Sequence, residues 1–275
     1  MLRDITIGQY YSAESVLHRM DPRTKLLGTL IYLVSLFLFD SPLVYALAAV
    51  FLIFAIALSK VPFSYMVKGL RTILFLLLFT VLMNMLFVKG EVIWSFWKLN
   101  VTREGLRQSF FIGARLIMLI LGSNLMTLTT TPTRLTNAME AVMKPLKIIK
   151  VPVHEIAMMM SIALRFIPIL LDETDKIMKA QLARGADFES GNLVKKAKSM
   201  IPVLVPLFIS SFRRANDLAM AMEARCYHGG KGRTQMKPLK YAGRDLIAYV
   251  VLLLYLAGVI VLGKYGGTLY EAFIH

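Results

Sequence analysis

Leu43-Val44-Tyr45-Ala46-Leu47-Ala48-Ala49-Val50-Phe51-Leu52-Ile53-Phe54-Ala55-Ile56-Ala57-Leu58-Ser59 carries no charged residue. As a helix it covers about 25 Å at 1.5 Å per residue, close to the hydrocarbon thickness of a bilayer. The whole chain agrees with that reading, being 57% apolar with a mean hydropathy of +0.62. This composition marks an integral membrane protein rather than a soluble domain.

Working outward, Asp40-Ser41-Pro42 turns the chain into this run and Lys60-Val61-Pro62 stops it. Upstream, Asp21 is placed as an N-cap with Pro22 at the first helical position, which predicts a span over residues 22–39. Downstream, a span is expected over residues 70–88, with Arg71 at its start and Asn84 as its one strongly polar interior residue. Residues 89–105 form a polar loop with Trp94 and Trp97 interleaved, as at a lipid headgroup layer. A fourth span over 106–128 carries Arg115 and ends at Thr129-Thr130-Thr131-Pro132-Thr133, which breaks or caps it. The last span is 246–262. The N-terminus lacks a continuous apolar core followed by a small-residue cleavage site, so the first apolar run stays as a span.

The basic residues orient these spans. Arg19, Arg23 and Lys25 precede the first, Lys60, Lys68 and Arg71 lie between the second and third, and the link between the first and second has none. By the positive-inside rule the N-terminus is cytoplasmic. Five spans then leave residues 130–244 inside as well. That stretch holds 19 Lys and Arg against 9 Asp and Glu, so it supplies most of the chain's net charge of +15. A charge of this size also suits nucleic-acid binding, but long uncharged runs beside basic loops indicate a membrane instead.

Residues 130–244 are too apolar for a solvated loop. Leu135, Met139, Val142, Met143 and Leu146 recur at helical spacing, giving an amphipathic helix that ends near Pro145. Residues 154–184 and 201–226 read as two long helices, with Pro168, Pro202 and Pro206 expected to kink or restart them. Each is apolar in its first half and mixed afterwards, so each begins in or along the bilayer and projects its far end inward. The fold is therefore all-α: about five transmembrane helices plus a cytoplasmic domain of about three helices, two of them long and crossing. Residues 1–129 form the membrane domain, 130–244 the cytoplasmic domain, and 245–275 the last transmembrane helix and tail.

Enzyme chemistry finds little here. Gly229-Gly230-Lys231-Gly232 lacks the following Ser or Thr and the preceding strand of a phosphate loop, and reads as a turn. No two of His18, His154, His228 and His275 are neighbours, and Cys226 is the single cysteine, so no metal site and no intrachain disulfide is expected. Asp172 and Asp175, three apart on a helix, are placed to hold a divalent cation on a phosphorylated lipid, but Arg165, Lys176 and Lys179 nearby also fit a charge-compensated surface. The Met residues of the long helices, among them Met158, Met159 and Met160, suit either core packing or a surface that re-packs against a partner. Arg184 and Arg225 end the two helices, each between small residues, where a cation complements the helix dipole and a guanidinium is free to meet carboxylates.

Leu17-His18-Arg19-Met20-Asp21-Pro22-Arg23-Thr24-Lys25-Leu26, Ala163-Leu164-Arg165-Phe166-Ile167-Pro168, Ala183-Arg184-Gly185 and Ala224-Arg225-Cys226 together resemble the transmembrane T component of energy-coupling factor transporters, ABC-type importers of vitamins and transition-metal ions in prokaryotic cell membranes. The resemblance runs from Ile7 to about Tyr227. It implies a multi-pass, non-catalytic scaffold that joins two cytosolic ABC-type ATPase subunits to one small membrane substrate-binding subunit. ATP and Mg would be bound by the ATPase partners, with no cofactor on this chain. Ala183, Arg184, Gly185, Ala224, Arg225 and Cys226 would engage the ATPases. Met158, Met159, Met160, Leu164, Ile167, Leu204 and Phe208 would contact the substrate subunit. Cys226 stands where the family often has glycine, which weakens the helix stop expected there. The rival class is a membrane enzyme acting on a phosphorylated lipid with Asp172 and Asp175 as metal ligands.

Overall fold

The computed structural model describes residues 10–88, 90–96, 99–188, 192–230 and 238–274. It is built from helices and one small hairpin: α1 (Val16–Arg19), α2 (Pro22–Leu38), α3 (Pro42–Ser59), α4 (Phe63–Phe87), β1 (Val92–Phe96), β2 (Leu99–Thr102), α5 (Arg103–Thr129), α6 (Pro132–Met143), α7 (Val153–Ala183), α8 (Leu193–Ser199), α9 (Ile201–Ala224) and α10 (Gly243–Ile274). A 3-10 helix, Lys144–Ile149, links α6 to α7. By length and composition, four described helices carry stretches apolar enough to cross a membrane, Pro42–Ser59, Arg103–Thr129, Val153–Ala183 and Gly243–Tyr265 of α10, and α4 carries the shorter apolar stretch Ile73–Phe87. The protein is thus an all-α, multi-pass membrane protein.

Helix starts follow local chemistry. The Asp21 carboxylate accepts the Arg23 N–H at 2.8 Å and Pro22 occupies a position where no N–H is needed. Thr102 Oγ1 accepts the Gly105 N–H at 3.0 Å and donates to the Val88 carbonyl at 2.7 Å, capping α5 and tying it to the end of α4.

Some boundaries differ from those the sequence predicts. Helix α4 starts at Phe63 rather than near residue 70, because Pro62 sits as its N-cap and the chain re-enters a helix immediately. The connection after α4 is not only a loop: β1 and β2 pair antiparallel, with Trp94 opposite Val101 and Phe96 opposite Leu99. Trp97 lies outside the described residues. Pro202 falls in the first turn of α9, and the helical pattern runs without a restart through Pro168 in α7 and Pro206 in α9.

The chain divides into two compact units. The larger comprises Gly8–Ala138 and Leu239–His275. Its core joins Tyr32 and Leu36 of α2, Val44, Ala48 and Leu52 of α3, Leu125 of α5, and Tyr255 and Val259 of α10. Phe51 stacks on Tyr255 with centroids 4.4 Å apart, and the Ser35 and Tyr255 hydroxyls share a hydrogen bond of 2.7 Å. In hydrocarbon, such buried hydroxyl pairs and close small-residue contacts hold helices together where the hydrophobic effect does not. Gly122 shows the second device: a Cβ there would lie 2.8 Å from Tyr32 Cε1. Outward positions such as Ile53, Phe75, Leu78, Leu253 and Leu254 are exposed, as expected of a lipid-facing surface.

At one end of this unit polar groups close the bundle. Buried Lys25 donates from Nζ to the Thr129 carbonyl at 2.8 Å, satisfying a backbone acceptor at the end of α5. At its other end Arg115 ion-pairs with Asp40, donates from Nε to the Tyr45 hydroxyl at 2.7 Å, and lies over the Phe37 and Tyr45 rings. The arginine that stands alone in the fourth span by sequence is therefore neutralised by a turn residue.

The smaller unit covers Met139–Pro238 together with Met1–Ile7, the latter outside the described residues. Helices α7 and α9 pack on each other. His154 Nδ1 meets Glu140 Oε1 at 3.0 Å across α6 and α7, and Gly230 packs on that imidazole so closely that a Cβ would lie 2.5 Å from Cδ2. Among the described residues of α7 and α9, only Val153, Ala157 and Val203 are buried.

Candidate functional site

The tips of α7 and α9 are built alike. At α7, the Gly185 N–H donates to the Leu182 carbonyl and the Ala186 N–H to the Gln181 carbonyl, both at 3.0 Å. At α9, the Cys226 N–H donates to the Glu223 carbonyl at 2.8 Å and the Tyr227 N–H to the Met222 carbonyl at 3.0 Å. Both are Schellman motifs, which satisfy the last helical carbonyls by reversing the chain through one left-handed residue. That residue is Gly185 at φ 86° in one and Cys226 at φ 56° in the other. The second helix stop therefore forms with the same hydrogen bonds as the first, but with a Cβ-bearing residue in the left-handed region, where glycine carries no such penalty.

The register of the motif places Arg184 and Arg225 at the C-cap of their helices. Both side chains are exposed, as are Ala183 and Ala224 before them, and a Cβ at Gly185 would meet nothing within 4 Å. Neither guanidinium has an ion-pair partner among the described residues. A C-cap arginine is favourably placed against the partial negative charge of the helix end, and its planar fork remains open for bidentate bonds to carboxylates.

The acidic group on α7 resolves differently. Glu173 pairs with Arg214 of α9 at 3.0 Å, Asp172 is exposed and Asp175 half-buried, and among the described residues no group of three His, Cys, Asp or Glu forms a metal site. Along the first halves of the helices, Met159 (57% exposed), Leu204 (54%) and Phe208 (65%) present apolar surface, with Ile167 also exposed and Met158, Met160 and Leu164 half-buried. Phe208 and Phe212 rings lie 4.7 Å apart on one side of α9. These contacts leave apolar helix faces uncovered within the unit, as interaction surfaces do.

Long apolar helices, together with exposed arginines at the tips of α7 and α9, define a multi-pass membrane component. The chain belongs to the cobalt transport protein (CbiQ) family, matched over residues 13–236, the family of the transmembrane T component of energy-coupling factor transporters. It is 57% identical over 250 residues to the energy-coupling factor transporter transmembrane protein EcfT of Clostridium kluyveri, covering 90% of this chain and 93% of that one. To the protein of the same name from Thermosediminibacter oceani it is 54% identical over 249 residues, 90% and 94% of the two chains. To that of Bacillus subtilis it is 47% identical over 254 residues, 92% and 96%.

Proposed function

We infer that the chain is the non-catalytic transmembrane scaffold of an energy-coupling factor importer in a prokaryotic cell membrane. It passes the work of two cytosolic ATPase subunits to a separate membrane subunit that holds the substrate. The observation that carries this reading is the pair of matched helix tips, each ending on an exposed C-cap arginine with no ion-pair partner among the described residues. Arg184 and Arg225, with Ala183, Gly185, Ala224 and Cys226 around them, each enter a groove on one ATPase. The exposed apolar residues Met159, Ile167, Leu204 and Phe208, with Met158, Met160 and Leu164 beside them, face the substrate subunit. ATP and Mg are bound by the ATPases, and this chain holds no cofactor. Closure of the ATPases moves the two tips relative to each other, and the apolar faces tilt or release the substrate subunit.

The N-terminus is cytoplasmic in this reading. Its support is the basic bias of the connections and the convergence of Arg19, Lys60 and Arg244, from three different connections, on one recess. The test is replacement of Arg184 and Arg225 by Ala, singly and together, in the assembled transporter. Loss of ATPase co-purification and of uptake in the double variant is expected; retention of both overturns the coupling role. The membrane-enzyme alternative, with Asp172 and Asp175 as ligands, has no observation in its favour among the described residues, and the relatives are named as transporter proteins.

A further inference from the structure

We propose that the larger unit holds one anionic phospholipid, its headgroup on Arg19, Lys60 and Arg244 and one acyl chain between α2, α3, α5 and α10. Two adjoining hollows carry this. The first, of about 300 Å³, presents a mostly apolar surface, with Thr24, Lys25, Thr29, Thr129 and Arg244 also bordering it, and its wall on α2 runs from Thr24 to Tyr32, about 12 Å of helix. Phe54 of α3 and Ile247 of α10 stand on its rim and are themselves exposed, so it opens sideways to the surroundings of the bundle. In a bilayer those surroundings are acyl chains. An apolar hollow of this size left empty would forfeit dispersion contacts along its whole lining.

The second hollow, of about 400 Å³, shares Val16, Leu58 and Arg244 with the first. Arg19 and Lys60 add two further cations to it. Glu14 lies there too and pairs with Arg19 at 2.7 Å, while Lys60 and Arg244 have no ion-pair partner among the described residues. The recess thus keeps an excess of positive charge beside an apolar slot. That order, cations at the end of the bundle and hydrocarbon lining beneath, is complementary to a phosphate headgroup and its chain. Lys25, which also lines the slot, is already engaged by Thr129 and Thr130, so the headgroup cations are Arg19, Lys60 and Arg244, the last of which borders both hollows. The site rests on the membrane placement of the unit and is independent of the coupling role of Arg184 and Arg225.

The experiment uses the full-length chain in mild detergent, stripped of lipid, without ATPase partners, and titrated by native mass spectrometry. The probes are phosphatidylglycerol, phosphatidylcholine with the same chains, and glycerol 3-phosphate. Phosphatidylglycerol is expected to bind one to one, phosphatidylcholine at least tenfold more weakly, and glycerol 3-phosphate not at all. Lys60→Gln and Arg244→Gln should each weaken phosphatidylglycerol by about fivefold, and Lys264→Gln on the far part of α10 should change nothing. Gly28→Leu fills the slot where a Cβ meets only Leu252 Cδ1 at 3.4 Å; it should weaken both lipids while the purified chain stays monodisperse. Equal binding of the two lipids, wild-type binding in the Lys60/Arg244 double variant or in Gly28→Leu, binding of glycerol 3-phosphate as tight as the lipid, or a second copy of the chain in place of the lipid would each overturn the proposal. Because no ATPase is present, none of these results depends on whether the coupling reading holds.

Discussion

Asp245, in the first turn of α10, accepts the backbone N–H of Asp21 through Oδ1 at 2.8 Å, although the two are 224 residues apart. Its Oδ2 accepts the Ala242 N–H at 2.8 Å, and the residue is 2% exposed. Asp21 in turn caps α2, and Arg23 donates to the Leu239 carbonyl at 2.8 Å. One buried carboxylate therefore pins the start of the first long helix to the start of the last. Removing it leaves two N–H groups without acceptors. Asp245→Ala should lower stability by about 1–3 kcal/mol and Asp245→Asn by less, read as the melting temperature of the purified chain in detergent.

Gly122 of α5 packs directly against the Tyr32 ring of α2. A Cβ at Gly122 would stand 2.8 Å from Tyr32 Cε1, and the ring is hemmed in by Phe51 and Tyr255. Gly122→Ala should cost about 1–3 kcal/mol through this overlap. Gly28→Ala, whose Cβ meets only Leu252 at ordinary contact distance, should stay within about 0.5 kcal/mol. The same melting experiment separates them.

Histidine 18 supplies a pH dependence. Its Nε2 faces the Tyr11 carbonyl at 2.9 Å and therefore carries the proton, leaving Nδ1 to accept from the Ser15 hydroxyl at 2.7 Å. Burial pushes the imidazole below its ordinary 6.5, the Tyr11 carbonyl opposing and the Lys25 charge adding to the drop. Above 6.5 the ring is neutral folded or unfolded, and stability is full. As pH falls through 6.5 the unfolded chain takes up the proton first, so stability is lost until the lowered folded value is passed. Melting temperature followed from pH 8 to pH 5 should show this fall, and His18→Gln should flatten that part of the profile.

Cys226 holds a left-handed backbone at φ 56°, a conformation that costs an L residue with a Cβ about 1–2 kcal/mol. Cys226→Gly should therefore slow hydrogen exchange in the last turn of α9, and Gly185→Ala should speed it in the last turn of α7. Opposite signs in the two helices are the expected result, since the two tips share one hydrogen-bond pattern.

Much of this was open to a reader of the sequence alone. The Asp21-Pro22 start of α2, the membrane class and the two long helices follow from capping chemistry, uncharged runs and period. The β1–β2 hairpin was not legible, because its strands are short and their polar and aromatic residues equally fit an interfacial loop. The start of α4 is harder to read because Ser64, Lys68 and Arg71 interrupt its first turns, and its uncharged run begins only after Arg71.

The sequence by itself determined what depends on near neighbours: which segments are helical and apolar, where caps fall, and that two helices end on Ala-Arg pairs. Tertiary structure decided what depends on distant ones. Asp40 neutralises Arg115 from 75 residues away, Asp245 completes the cap region of α2, and Arg19, Lys60 and Arg244 gather at one recess. Partners chosen by folding rather than by spacing leave no periodic trace in the chain, which is why these relationships emerge only in three dimensions.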